Sequence, residues 1–451
     1  MKFRSALGFL LCLCLTISTI NIYAQNGHDH STGENTHQEE SKDHAKSDHH
    51  DADHDHATHD GHTLDKDDHG HHSSCGHHES SEFDPGGTAI HHISDQNVYN
   101  IGPFQLPLPC ILYVPGKGVD MFSSGKFEAD YHGTGTKAWD GYVLYHGQVR
   151  KVKDPSFPKG LIDIGKHAVF SEASEIDGKE VDQIFLCYND ERLLCESKST
   201  LDFGLFGGGL TSFHDFSITK NVISMLLIFG LMTWMFLGIA RSYKKREGMA
   251  PTGIQGFIEP IFEFIQEDVS KPFLGHQWEK FQPFLMSLFF FILGLNLFGQ
   301  VPFFGGSNVT GNLSVTLVLA VLAFIVTNIH GNKHYWGHVF NMPGVPAVIK
   351  YLVVTPVEVM GLFIKPLTLM LRLFGNMAAG HMVIVIFVGL IFMFGQNGAN
   401  PGAAWGTSIG SIILTLFMMS IELLVAFIQA FVFTILTASY IGAAIEEHHD
   451  H

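Results

Sequence analysis

The chain has 451 residues, 46% of them hydrophobic, and a formal net charge of −17. So acidic a balance argues against a nucleic-acid partner, because phosphates select basic surfaces. The average conceals a division: roughly the first 200 residues are largely polar and the rest mostly apolar, which predicts a soluble head followed by a membrane domain.

Residues 1–24 have the pattern of a secretory signal. Lys2 and Arg4 form a basic start, Ala6 to Ile20 an apolar core, and Ile22-Tyr23-Ala24 offers a small residue for cleavage. The alternative is a first transmembrane helix, for which the core is short. Cys12 and Cys14 lie in this segment without a lipoprotein cleavage box around them. Cleavage leaves the new N-terminus outside the cytoplasm, where disulfides form. Cys75, Cys110, Cys187 and Cys195 then remain. Cys187 and Cys195 flank a turn at Asn189-Asp190-Glu191-Arg192, and either bridge a hairpin or stay buried thiols.

Residues 25–81 are a His- and Asp-rich tract. Positions 27–79 hold 15 of the 29 His, with 14 carboxylates against 3 Lys. Too few apolar residues are present to offset ordering entropy, so the tract is expected to be disordered. No ligand spacing recurs among His28 to His78, so weak, unselective chelation of zinc, copper or nickel is the most it predicts. No defined metal site and no cofactor is expected. Residues 82–210 read as a small, β-rich extracytoplasmic module. Cys110 to Val114 and Gln183 to Cys187 are strand-like runs, punctuated by Gly and Pro.

The character changes at Asn221. Val222 to Ala240 is apolar and long enough to span, and it ends in the basic cluster Arg241-Ser242-Tyr243-Lys244-Lys245-Arg246. The positive-inside rule puts that cluster in the cytoplasm and the head outside, in agreement with the signal. Pro251 to Phe273 carries apolar residues at helical spacing and is expected along the membrane surface. Phe284 to Val301 spans outward, Asn308 to Asn312 makes an outer turn, Leu313 to Ile329 spans inward, and His330 to His338 is a cytoplasmic loop. Two long apolar stretches follow, Tyr351 to Phe394 and Leu414 to Ile445, joined by a Gly- and Asn-rich loop from Gly395 to Gly410. Both exceed one vertical crossing, so they predict a helical hairpin, strongly tilted or nearly in the membrane plane.

The first of these stretches contains Glu358, Lys365, Arg372, Asn376 and His381; the second contains Glu422 and Gln429. A charge at membrane depth costs from about 3 to over 10 kcal/mol, so such groups face water, a partner or a transport path. Glu358, Lys365 and Arg372 recur at sevens and line one helical stripe. Asn376 lies one turn beyond Arg372, and Glu422 and Gln429 share a face of their own. Lys365 either belongs to this stripe or snorkels. Arginine keeps its proton even when poorly solvated, so it attracts a carboxylate without relaying protons. Glu422 and His381 are titratable and suit proton exchange.

Leu371-Arg372-Leu373-Phe374-Gly375-Asn376-Met377-Ala378-Ala379-Gly380-His381 resembles the signature of the F-type ATP synthase subunit a family. Gln429-Ala430-Phe431-Val432-Phe433 with Tyr440 to His448 resembles that family's last helix, and the likeness spans roughly residues 214–448. The resemblance implies a stator of the CF(0) sector, carrying protons past a rotating ring of subunit c and held by a peripheral stalk of subunit b. It implies that Arg372 faces the ring's carboxylate and separates two half-channels. Asn376, His381 and Glu422 would line the outer side of the path, Gln429 would lie opposite Arg372, and Glu358 would stand toward the cytoplasmic exit. His381 and Glu422 stand in the exchanged acid–histidine arrangement known within the family. The head, the longer loop at Gly395 to Gly410, and Gly299 in place of an aspartate depart from its pattern.

The expected fold is therefore an all-α polytopic membrane domain over residues 211–451, with vertical spans and a long tilted helical hairpin, behind the β-rich module and the His-rich tract. The expected setting is the cell inner membrane, with the head periplasmic, the C-terminus cytoplasmic and lipid around the spans. The resemblance implies that the chain itself binds no nucleotide and is not catalytic on its own but part of the proton-transporting complex, and no glycine loop to cradle a phosphate is found in the sequence. A metal-ion transporter would cluster acid and His ligands within its spans rather than an arginine, and a passive scaffold would not bury one.

Overall fold

The computed structural model describes residues 94–101, 104–130, 133–176, 179–199, 211–301, 307–342, 346–396 and 399–446. The expected signal peptide, the His-rich tract and Cys75 lie outside the described residues.

The module is built from twelve short strands: β1 (Val98–Ile101), β2 (Phe104–Pro107), β3 (Pro109–Val114), β4 (Gly118–Ser123), β5 (Lys137–Trp139), β6 (Tyr142–Tyr145), β7 (Gln148–Val152), β8 (Leu161–Asp163), β9 (Val169–Ile176), β10 (Lys179–Tyr188), β11 (Glu191–Glu196) and β12 (His214–Asp215). They form a hairpin of β1 and β2, a seven-stranded sheet in the order β8-β5-β6-β7-β11-β10-β9, and a three-stranded sheet in the order β12-β3-β4. Every ladder is antiparallel.

The local sequence explains the close hairpins. Asp140-Gly141, His146-Gly147 and Asn189-Asp190 each supply two residues of positive φ between adjacent strands. That geometry matches the right-handed twist of the flanking strands. Phe122, Phe127, Tyr142 and Phe213 pack their rings together in the core, with centroids 5.6 to 6.1 Å apart.

The β10–β11 register decides between the two cysteine alternatives. Cys187 lies opposite Arg192, whereas Cys195 lies opposite Ile184. The two are three rungs apart, beyond the reach of a disulfide. Cys195 is a buried free thiol, while Cys187 is disulfide-bonded elsewhere.

The C-terminal half is helical: α1 (Lys220–Lys245), α2 (Ile254–Phe264), α3 (Trp278–Gly299), α4 (Leu313–Ile329), α5 (Lys333–Phe340), α6 (Thr355–Phe394) and α7 (Pro401–Ile445). A π-helical turn at Ile265–Ser270 and a helical turn at Lys271–Leu274 carry α2 toward α3. Among the described residues, four helices or continuous helical stretches are long and apolar enough to cross a membrane, or five if α4 and α5, bent by 106°, count as one span. This is the architecture of a multi-pass membrane protein. α3 is apolar all round and sits in the core, with Phe289 and Phe291 almost fully buried. α7 meets it through Ala426, Ala430 and Ala438, small residues that let helices approach.

Two expectations are corrected. The Gly- and Asn-rich loop is only the stretch at 395–400, because α7 begins at Pro401 rather than Leu414. Asn400 caps the helix through the Ala403 amide, at 3.2 Å, and proline suits the first turn, which together outweigh Gly402, Gly406 and Gly410. The expected loop at His330 to His338 contains α5, and Asn332 before it satisfies the last carbonyls of α7, at 2.9 Å to Ala444 and 2.8 Å to Ile445.

Candidate functional site

α6 and α7 run antiparallel along each other. Lys365 lies over the Tyr440 ring, 5.4 Å from its centroid, Gly380 faces Glu422, and Ser411 donates to the Phe387 carbonyl. Leu362, Leu369, Leu373 and Met377 form the buried stripe of α6. Arg372 sits beside that stripe and is half-buried. It forms neither an ion pair nor a hydrogen bond among the described residues. Around it Leu367 and Leu371 are exposed, as are the polar Thr368 and Asn376. A cation with no counter-ion thus stands at the edge of an apolar surface.

Nine residues further, about 14 Å along the helix, lies the one acid–imidazole contact found on the two helices among the described residues. His381 Nδ1 is 3.5 Å from Glu422 Oε1, and the Glu422 side chain is only 5% exposed. Gly380 makes room for it: a β-carbon there would stand 3.1 Å from that same oxygen. Gln429 is buried two turns further along α7. The register puts it within about one helical turn of the level of Arg372. Glu358 lies in the first turn of α6, at the opposite end from His381, and is half-buried. The structure thus brings His381 and Glu422 into contact and keeps Arg372 apart from every acid of its own chain among the described residues. The cation–π contact of Lys365 gives that ammonium a partner on α7.

A family model described as ATP synthase A chain matches residues 222–442, and a model described as a domain of unknown function matches residues 88–169. ATP synthase subunit a of Chloroherpeton thalassium is 38% identical over 240 residues, which cover 52% of this chain and 69% of that protein. The chain belongs to the ATP synthase subunit a family. Subunit a of Pelodictyon phaeoclathratiforme is 36% identical over 245 residues, covering 52% of this chain and 68% of the relative. Subunit a of Anaeromyxobacter dehalogenans is 36% identical over 284 residues, covering 61% and 69%.

Three amides escaped the sequence reading. Gln300 Nε2 donates to the Glu422 carbonyl at 2.8 Å, and Asn296 Nδ2 to the Ala426 carbonyl at 3.1 Å, so α3 grips the turn of α7 that carries the acid. Asn308 Nδ2 donates to the Met377 carbonyl on α6 at 3.3 Å. Thr310 joins the set by donating to Asn296 Oδ1 at 2.7 Å. Each is a single amide in an apolar run or turn, and the one signal available was its cost when buried without a partner. Gly299 belongs here too: a β-carbon would stand 3.1 Å from the Ser307 carbonyl, so this α3 position backs onto the turn at 307–312.

Proposed function

We propose that this chain is the proton-carrying stator subunit of an F-type ATP synthase, offering two half-channels to a c-ring with Arg372 between them. The observation that carries the reading is the half-buried guanidinium of Arg372 beside the buried stripe of α6, with no ion pair or hydrogen bond among the described residues. A charge at membrane depth costs from about 3 to over 10 kcal/mol, and a partner's carboxylate is the compensation that the described residues of the chain do not supply.

The proton is taken up from the outer face by His381 and Glu422, with Asn376 as polar lining and Gln429 opposite Arg372. It neutralises a ring carboxylate, which can then face lipid as the ring turns. When that carboxyl reaches Arg372 the guanidinium favours its ionised form, and the proton leaves toward Glu358 and the cytoplasm. Each charge crossing 100 mV supplies about 2.3 kcal/mol, so several protons are needed per ATP. The subunit b stalk holds the stator against the turning ring. The module stands outside and the Arg241 to Arg246 cluster inside, in a bacterial inner membrane. The reading divides the chain into a signal at 1–24, a His-rich tract at 25–81, the module at 82–210 and the membrane domain at 211–451.

The test is Arg372→Ala, with ATP-driven proton pumping followed in inverted vesicles. Pumping is expected to vanish while the complex still assembles. Coupled pumping at the wild-type rate overturns the role given to Arg372.

A further inference from the structure

A membrane protein's outer turn is ordinarily wet, yet the turn at 307–312 is buried: Ser307 is 0% exposed and Asn308 5%. The bonds on its two sides lead in different directions. On one side, Ser307 Oγ is 2.7 Å from Ser224 Oγ and donates to Asn221 Oδ1 at 3.3 Å, both in the first turns of α1. That helix start is itself held by the module. Thr219 precedes α1 without a capping bond from its own side chain. Asp95 takes the capping role from over 120 residues away: its carboxylate accepts from the Asn221 amide at 3.0 Å and from the Thr219 hydroxyl at 2.6 Å. Burial pushes the Asp95 carboxyl up, against the opposing pull of these bonds and of the Lys198 and Lys220 charges. A carboxylate buried this deeply is tolerable only with such partners.

On the other side, Asn308 reaches α6. Its Oδ1 accepts from the Gly311 amide at 2.9 Å, and its Nδ2 donates to the Met377 carbonyl at 3.3 Å. Gly311 is the enabling residue, since a β-carbon there would fall 2.2 Å from the Asn308 nitrogen. In an α-helix the carbonyl of residue 377 accepts from the amide of residue 381. Asn308 therefore grips the carbonyl on which the backbone of His381 hangs.

We infer that the N-terminal module is a clamp on the proton path: Asp95 fixes the start of α1, α1 fixes the buried outer turn, and Asn308 sets α6 so that His381 meets Glu422. Asp95 and Asn308 are positioning residues in this account, which rests on the proton-carrying reading above. The leverage is geometric. Misplacing a reacting group by about 1 Å can cost on the order of 100-fold in rate.

The experiment uses the assembled complex in inverted vesicles and follows ATP-driven pumping across pH. Asp95→Ala is expected to lower pumping severalfold and to shift its pH profile. Asp95→Cys with Thr219→Cys, at positions whose side chains are 2.6 Å apart, allows that same joint to be closed by oxidation. Closure is expected to restore both rate and profile, and reductant to abolish the rescue. Asn308→Ala is expected to show the same defect without rescue, because its break lies beyond the closed joint. A wild-type rate and profile in Asp95→Ala, or a closed joint that restores nothing, overturns the clamp. If Asp95→Ala does not accumulate in the membrane, Asn308→Ala decides alone, and an unaltered pH profile there overturns it. Arg372→Ala run in parallel separates the two failures. If that variant pumps normally, the proton-path reading has failed; if it is inactive while the Asp95 and Asn308 variants are unaltered, only the clamp has.

Discussion

In the module, Phe127, Tyr142 and Phe213 meet in a closed core, and the Lys137–Glu128 and Arg192–Glu172 pairs, at 2.6 and 2.8 Å, engage charges within the chain. On α6 and α7 the balance is reversed. Phe363, Leu371, Ile413 and Phe417 stand open, and Arg372 has no ion-pair partner among the described residues. The difference teaches what each region is solvated by. A fold in water closes a buried apolar core and pairs many of its charges, even where strand residues such as Phe104 and Met121 stay exposed. A membrane helix pair keeps apolar surface for lipid and for another subunit, and a cation left without an acid marks the side that the other subunit fills.

The sharpest way to break this comparison is at the acid–imidazole pair. Glu422→Gln keeps the shape but removes the proton, so pumping is expected to fall roughly 10- to 100-fold and to change its pH dependence. An unchanged pH profile would separate Glu422 from the path. The module is expected to answer differently. Phe127→Ala empties a fully buried position and should cost about 3–5 kcal/mol. Limited proteolysis should then cut the module while the c-ring still copurifies with α6 and α7; loss of both together would mean that the two regions fold as one. A smaller effect tests where α7 begins. Asn400→Ala removes its cap at a cost of about 1 kcal/mol, seen as faster amide exchange over residues 402–406. The smallest effect is in the thiols: burial pushes both Cys110 and Cys195 up to about 12, so neither should react with maleimide at pH 7.5 until the protein is unfolded.

Apolar length made α4 legible to the residue, and an arginine with no acid within a turn made Arg372 conspicuous. The pairing of His381 with Glu422 was legible only through the family resemblance, because periodicity does not say which residue of one helix meets which residue of the next. What stayed hidden has a common cause. Asn296, Gln300 and Asn308 bond to backbone carbonyls of other helices, and backbone acceptors leave no mark in a side-chain pattern. The start of α7 was obscured because three glycines argue for a loop, while Pro401 and Asn400 argue for a helix start and prevail. The cap that Asp95 provides for α1 spans 126 residues to Asn221, farther than any local rule reaches.

The central claim is that the side of α6 bearing Arg372 meets an acid-bearing helix of the ring. Thr368→Cys and Leu371→Cys flank the arginine on exposed positions. Each, paired with a cysteine placed one turn from the ring's carboxylate, is expected to give an a–c crosslinked product on oxidation of the membrane-embedded complex. A complex that copurifies intact yet yields no such product from either position, while cysteines on the opposite side of α6 do crosslink, would contradict the account.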